Sequence, residues 1–417
     1  MWKEHIMEKQ KKKLSLAGWI GIAMLAGILV GLIGIWAPGF AEFTTNYLKP
    51  FGTIFINLLK FIVVPIVILS IVDGIISLKD IKKVGSIGWK IIVYYLCTTA
   101  VAIVIGLLFA NIFKGAFPLL DTAGLEYEAK SANVMDTIVN IFPSSFWGPL
   151  VDATMLQIIV IALFLGFGII MAGNKGETFG KWISSANDVF MKIMMMIIKV
   201  APIGVFCMMA WVVANQGPQI LGSLALVLLV AYLGYIVHAI IVYSVAVKTM
   251  GGVGPIKFFK GIAPAMAFAF SSTSSIATLP ITKECTDELG ADPTISSFTL
   301  PLGATINMDG TAIYMGVCSI FIACCYGIDL TIGQMLTIIL TATLASVGTA
   351  GTSGAGMIML TMVLASVGIP IEGIAIIMGI DRLFDMGRTT INVVGDAAGA
   401  LVVSNSEAKK ANKKKNQ

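Results

Sequence analysis

The chain has 417 residues, 57% of them hydrophobic and only 12% charged, against about 45–50% apolar and about 25% charged in ordinary soluble proteins. That balance excludes a soluble domain of any size and predicts an integral membrane protein. The net charge of +5 comes largely from EKQKKK before the first apolar run and NSEAKKANKKKNQ after the last, so by the positive-inside rule both termini are cytoplasmic and the number of crossings is even.

These basic tails are short and abut apolar runs, which argues against a nucleic-acid-binding arm. The cysteines Cys97, Cys207, Cys285, Cys318, Cys324 and Cys325 have no CxxC spacing, and only His5 and His238 could join them. Neither a disulfide framework nor a zinc site is indicated, and the cysteines are expected to be buried small hydrophobes.

In chain order, apolar runs long enough to span a bilayer, about 20 residues, are expected at Leu14–Trp36, Phe51–Leu78, Lys90–Phe113, Met155–Ala172, Asp188–Asn215 and Pro218–Val247. The first is too long for a signal-peptide core and has no small-residue cleavage site. Lys60 and Pro65 interrupt the second, where a snorkelling lysine and a kink are expected. The polar stretch Pro118 to Asp136 follows three crossings and is expected outside, as a mobile loop without a catalytic role.

After residue 250 the apolar arms become shorter than a span. FFKGIAPAMAFAF leads into SSTSSIATLP (Ser271 to Pro280), and TIGQMLTIILTATLASV leads into GTAGTSGAG (Gly348 to Gly356). Arms of about 10–14 residues suit re-entrant segments, whose irregular tips are tolerated at membrane depth only inside protein or against a watery cavity. Each tip is followed at similar spacing by a longer segment with a polar interior, first NMDGT (Asn307 to Thr311), then DRLFDMGRTTINVVGD (Asp381 to Asp396). This order predicts inverted repeats with their binding site near the midplane. Six spans, two hairpins that return to their own side and two further helices make eight crossings.

At about 100° per residue, Asp381, Asp385, Arg388, Asn392 and Asp396 fall within roughly 80° of arc, with Thr389 beside them. The opposite face carries Ile380, Leu383 and Val394. Each such charge costs about 2.5–3.5 kcal/mol at the bilayer centre, so the stripe must face protein, water, ligand or ions. Pairing of Asp381 with Arg382 and of Asp385 with Arg388 is the purely structural reading. It leaves Asp309 and Asp396 without a resident cation. A buried carboxylate without one takes up a proton or binds a metal cation, and the oxygens of Asn307, Asn392, Thr305 and Thr311 are hard ligands suited to sodium. Arg388 offers a planar fork to a carboxylate, Asp385 suits an ammonium, and the serine- and glycine-rich tips offer backbone N–H groups to a second carboxylate. One amine with two carboxylates describes an acidic amino acid.

Taken together and in this order, SSTSSIATLP, NMDGTA, GTAGTSGAG and DMGRTTINVVGD resemble the glutamate/aspartate:sodium symporter family (dicarboxylate/amino acid:cation symporters), and the resemblance covers essentially the whole chain. It implies an all-α elevator-type transporter of eight transmembrane helices and two re-entrant hairpins, assembled as a homotrimer in the cell (inner) membrane. Residues 1–89 would carry scaffold spans one and two, and 90–117 the third span. Residues 118–217 would carry the external loop and scaffold spans four and five. Residues 218–406 would form the mobile core with span six, both hairpins and the last two helices, ahead of a basic cytoplasmic tail at 407–417. The resemblance implies substrate contacts at Ser274, Ser275, Thr311, Thr349, Gly351, Thr352, Gly356, Asp385, Arg388, Thr389 and Asn392. It implies one sodium among Gly303, Asn307, Asn392 and Asp396, a second at Thr305, Met308, Ser346 and Thr349, and a third at Tyr95, Thr98, Thr99, Asn307 and Asp309. The sodium ions are co-transported, and no catalytic residue is implied.

The chain departs from that pattern in two places. Thr352 and Ser353 stand where many relatives have an apolar residue and a proline. Thr273 and Met386 occupy two positions at which relatives carry an arginine, while Arg382, one turn earlier, is expected to pair with Asp381 or Asp385. A proton- or sodium-coupled C4-dicarboxylate carrier is the alternative function, with a neutral amino-acid exchanger behind it because Arg388 would then face no carboxylate. A channel would require a continuous polar pore. An enzyme would require a nucleophile with its base, whereas His238 is remote in sequence from the polar sites and is expected to be a packed or interfacial residue.

Overall fold

The computed structural model describes residues 16–77, 86–119, 139, 142–346 and 355–415, and every regular element among them is a helix. Residues 120–138, with most of the polar stretch expected as a loop, and 347–354 of the second glycine-rich tip lie outside the described residues.

The first helices are α1 (Leu16–Gly34), α2 (Lys49–Ser77), α3 (Ser86–Phe113) and α4 (Met155–Met171). α2 runs unbroken through Pro65. The expected single span at Asp188–Asn215 is two helices, α5 (Asn174–Lys199) and α6 (Ala201–Gln216), bent by 45° at Val200. Pro202 sits at the start of α6; its missing N–H and its ring disfavour continuation of the preceding turn. The next span is α7 (Gln219–Val237), a π-helical turn at His238–Tyr243, and α8 (Ser244–Thr249).

Two helical hairpins follow. The first joins α9 (Pro255–Ser272) to α10 (Ser275–Glu288) through Thr273 and Ser274, and its leading arm, at 18 residues, is longer than expected. α11 (Pro293–Ile306) and α12 (Asp309–Cys325) then form one rod interrupted at Asn307 and Met308. The second hairpin pairs α13 (Ile332–Ala345) with α14 (Ala355–Ser366). The last helix, α15 (Asp381–Lys415), has 35 residues, about 50 Å at 1.5 Å per residue.

Among the described residues four stretches are long and apolar enough to cross a membrane, at 40–76, 86–116, 219–249 and 293–325, and the bent pair α5–α6 makes a fifth. The rod α11–α12 is the centre of the molecule, with 94% of its most apolar window buried. It packs against α3 on one side and α15 on the other. Glycine permits the approach to α3: a Cβ on Gly106 would come 2.6 Å from the Ile313 carbonyl oxygen, and one on Gly316 would come 3.0 Å from that of Ile103. Small residues let backbones close in this way where lipid supplies no hydrophobic drive.

Opposite its polar stripe, α15 and the residue before it are also largely buried. Val394 is fully buried and Ile380 nearly so, and Leu383 alone of the three apolar positions is exposed. The helix is surrounded by α3, α9, α10, α11 and α12, so its apolar side faces protein as its polar side does. Among the cysteines, Cys97 is exposed and Cys324 half-buried, while the other four are buried.

Candidate functional site

The polar centre is assembled where the break in the α11–α12 rod meets the middle of α15. At the break, Asn307 leaves the helix with extended backbone and Asp309 opens α12. The first turn of α12 has N–H groups without intrahelical acceptors, and Asn392 Oδ1 of α15 accepts from Gly310 N at 2.8 Å, capping that turn from another helix. Asn392 Nδ2 reaches Thr311 Oγ1 at 3.3 Å and Met308 Sδ at 3.4 Å. Asn307 Nδ2 donates to the Asn392 carbonyl at 2.9 Å and to Asp396 Oδ1 at 3.0 Å. Its Oδ1 is buried with no hydrogen-bond partner. Gly303 borders the same space: a Cβ there would come 2.5 Å from Asp396 Oδ1 and 2.6 Å from Tyr95 Oη. A buried acceptor without a donor costs about 1–3 kcal/mol, and beside a buried carboxylate such an oxygen is the donor set for a small hard cation.

Asp309 is fully buried. Its Oδ1 accepts from Thr98 at 3.2 Å and Thr99 at 2.7 Å, and its Oδ2 from Tyr243 Oη at 2.8 Å, while His238 Nε2 lies 3.2 Å from Oδ2. Of the expected members, Thr98 and Thr99 bond Asp309, whereas Tyr95 Oη donates to the Thr299 carbonyl at 3.1 Å and Asn307 bonds Asn392 and Asp396. His238, remote in sequence from the polar sites, is packed as expected, and what it packs against is the Asp309 carboxylate. It and Tyr243 were missed because they are five residues apart, about 140° round an α-helix. The π-turn at His238–Tyr243 adds a residue per turn and returns both to one face, with ring centroids 4.7 Å apart.

The remaining expected cation set is only partly described. Thr305 and Ser346 hydroxyls each bond a carbonyl of their own helix, at 2.9 Å and 2.7 Å. Thr349, Gly351 and Thr352 lie outside the described residues. Among the described residues no group of three or more His, Cys, Asp or Glu is placed to hold a metal ion, so a cation here would be held by neutral oxygens with single carboxylates.

Above the break the charged groups of α15 form a four-membered cluster. Arg388 Nε donates to Asp385 Oδ1 at 2.9 Å, and its Nη1 and Nη2 reach the two oxygens of Asp381 at 3.0 Å and 3.4 Å. The expected pairing of Asp381 with neighbouring Arg382 is replaced by this one, because residues seven apart share a helix face and adjacent ones do not. Arg382 instead lies 3.8 Å from Asp385, as expected of one of its two candidate partners. Thr389 Oγ1 donates to Asp385 Oδ1 at 3.4 Å. Tyr314 lies under the guanidinium at 4.6 Å, and a Cβ on Gly356 would collide with the guanidinium itself. The second hairpin thus closes directly on Arg388. In the first hairpin, Ser274 caps α10 by accepting from Ala277 N at 3.2 Å, and Ser275 is buried.

A helical membrane protein with paired hairpins, a broken central rod and this polar seam has clear relatives. A family model described as "Sodium:dicarboxylate symporter family" matches residues 16–406. The chain belongs to this family. Among its relatives, the Geobacillus stearothermophilus protein named "Proton/sodium-glutamate symport protein" is 35% identical over 406 residues, covering 95% of each chain. The Escherichia coli (strain K12) protein named "Proton/glutamate-aspartate symporter" is 35% identical over 416 residues, covering 96% of this chain and 95% of that one. The Bacillus subtilis (strain 168) protein named "C4-dicarboxylate transport protein" is 30% identical over 400 residues, covering 92% of each. Membership makes the chain a multi-pass membrane transporter of the symporter type.

Proposed function

We propose that this symporter carries L-aspartate and L-glutamate into the cell together with sodium ions. The observation that carries the reading is Asn307 Oδ1, a buried acceptor with no hydrogen-bond partner, on an amide whose nitrogen donates to the buried Asp396 carboxylate. Sodium satisfies that oxygen and offsets a carboxylate at once. One ion lies among Gly303, Asn307, Asn392 and Asp396, another beside Asp309 with Tyr95, Thr98 and Thr99, and a third near Thr305, Met308, Ser346 and Thr349. The substrate lies above them, its side-chain carboxylate on Arg388 and its ammonium on Asp385, with Ser274, Ser275, Thr311, Thr389 and Asn392 around it and the second hairpin, from Thr349 to Gly356, covering it. Relatives named for sodium, glutamate and aspartate support this assignment.

Each sodium entering down a 100 mV potential supplies about 2.3 kcal/mol, and each tenfold of accumulation requires about 1.4 kcal/mol. Several coupled ions therefore sustain steep gradients. The chain makes eight crossings with two re-entrant hairpins, both termini are cytoplasmic, and three protomers assemble in the cell membrane. The core of α3, α7 and α9 to α15 moves as an elevator against a scaffold of α1, α2, α4, α5 and α6. The packing supports that division, since α2 lies against α4, α5 and α6 while α15 lies against α3 and α9 to α12.

A C4-dicarboxylate reading is favoured by one observation: two guanidinium groups, Arg382 and Arg388, converge on Asp385. The deciding experiment is uptake of labelled L-aspartate into proteoliposomes under a sodium gradient, with a pH gradient alone as control and unlabelled glutamate, succinate and serine as competitors. Sodium-driven uptake lost in Arg388→Ala supports the proposal. Uptake driven by the pH gradient alone, or competed chiefly by succinate, sinks it.

A further inference from the structure

Arg382 stands in the first turn of α15 with 26% of its side chain exposed. Its Nη1 donates to Thr273 Oγ1 at the tip of the first hairpin and lies 3.8 Å from Asp385 Oδ2. Thr273 is buried at 1% exposure and adopts φ +54°, a left-handed conformation that a β-branched residue takes only when its surroundings impose it. Here the hydroxyl that turns toward α15 is the one Arg382 engages. The other oxygen of the Asp385 carboxylate accepts from Arg388 Nε at 2.9 Å and Thr389 at 3.4 Å.

We propose that Arg382 is a specificity-determining positioning residue, which is held toward the first hairpin by Thr273 and contests the Asp385 carboxylate with any ammonium group on the substrate. The inference rests on the reading of the site as one for dicarboxylates with or without an amine. Like charges brought to one carboxylate repel, so the nearer Arg382 stands to Asp385, the less an amine gains there. A dicarboxylate lacking the amine does not meet this competition. The strength of the Thr273 contact therefore sets how far the site prefers an amino acid over the corresponding diacid.

The test is calorimetric titration of the purified full-length protein in sodium buffer with L-aspartate and with succinate, read as the ratio of the two affinities. Arg382→Gln removes the competing charge and should raise the aspartate-to-succinate ratio by about tenfold. Thr273→Val keeps the β-branched shape but loses the acceptor, letting the guanidinium settle on Asp385, and should lower the ratio. A merely structural role would move both affinities together and leave the ratio alone. If Arg382→Gln does not fold, the Thr273→Val shift still decides. Shifts of the same sign in the two variants, or none beyond about twofold, overturn the inference while leaving the site's assignment intact. If the native protein binds neither ligand, the site reading falls, and this inference with it.

Discussion

Asn307 concentrates the chemistry of the seam in one side chain. Its amide nitrogen is spent on the Asn392 carbonyl and Asp396, which fixes which way the group faces and leaves the oxygen without a hydrogen-bond partner, the position proposed for a cation. Hydrogen bonds to charged groups are worth about 1.5–3 kcal/mol, so Asn307→Ala should weaken the sodium dependence of aspartate binding by tenfold or more. A sodium titration of substrate binding measures this, and an unchanged midpoint would sink the cation assignment. Gly356 is a second informative position. Gly356→Ala places a methyl group where the Arg388 guanidinium lies, an overpacking of about 1–3 kcal/mol. The expected result is a raised KM for uptake together with a lowered melting temperature; a native KM would show that the arginine has room to yield.

At the scale of elements, the ends of α3 and α15 are tied by a small polar cluster. Lys90 Nζ donates to Glu407 Oε1 and to Ser406 Oγ, both at 2.7 Å, and Ser86 Oγ donates to Glu407 at 2.8 Å. The Lys90 ammonium holds the Glu407 carboxyl below the usual carboxylate range. A depressed folded-state pKa contributes stability that is complete above the unfolded carboxylate's range and disappears as pH falls through the folded value. Melting temperatures followed from about pH 7 to about pH 4 should therefore fall less steeply in Glu407→Gln than in the native protein. Parallel curves would mean that the pair contributes nothing to holding α15 against α3. The π-turn in the α7–α8 span belongs to the same scale, since a one-residue change of helical period is what delivers both His238 and Tyr243 to Asp309.

At the scale of the whole molecule, one contact between the two groups of helices is the ion pair between Lys60 of α2 and Glu372, in the 3-10 turn Ile371–Gly373 that follows α14, at 2.6 Å. With 37% and 43% of the two side chains exposed, the pair is worth at most about 1 kcal/mol to stability. Its interest is positional, because it joins the proposed scaffold to the proposed moving core. Lys60→Glu should change the uptake rate through repulsion from Glu372, and the charge swap Lys60→Glu with Glu372→Lys should restore it, both with little change in melting temperature. If the swap behaves as the sum of its single changes, the pair does not couple to transport.

The membrane character, the existence of two hairpins, the polar interior at NMDGT and the polar stripe of α15 were determined by the sequence alone, because they rest on local signals: apolar run length, short arms, and the roughly 100° helical period. The candidate residues were legible for the same reason, their polarity standing out against apolar surroundings. Tertiary structure decided the pairings. Asp381 takes Arg388 and not its neighbour Arg382, and His238 joins Asp309 from a span remote in sequence from the polar sites. It also decided that the apolar side of α15 faces protein, since a hydrophobic residue is equally compatible with lipid and with core. Pairing and burial depend on which helices meet and at what rotation, and that is set by packing across the molecule, which no local period encodes.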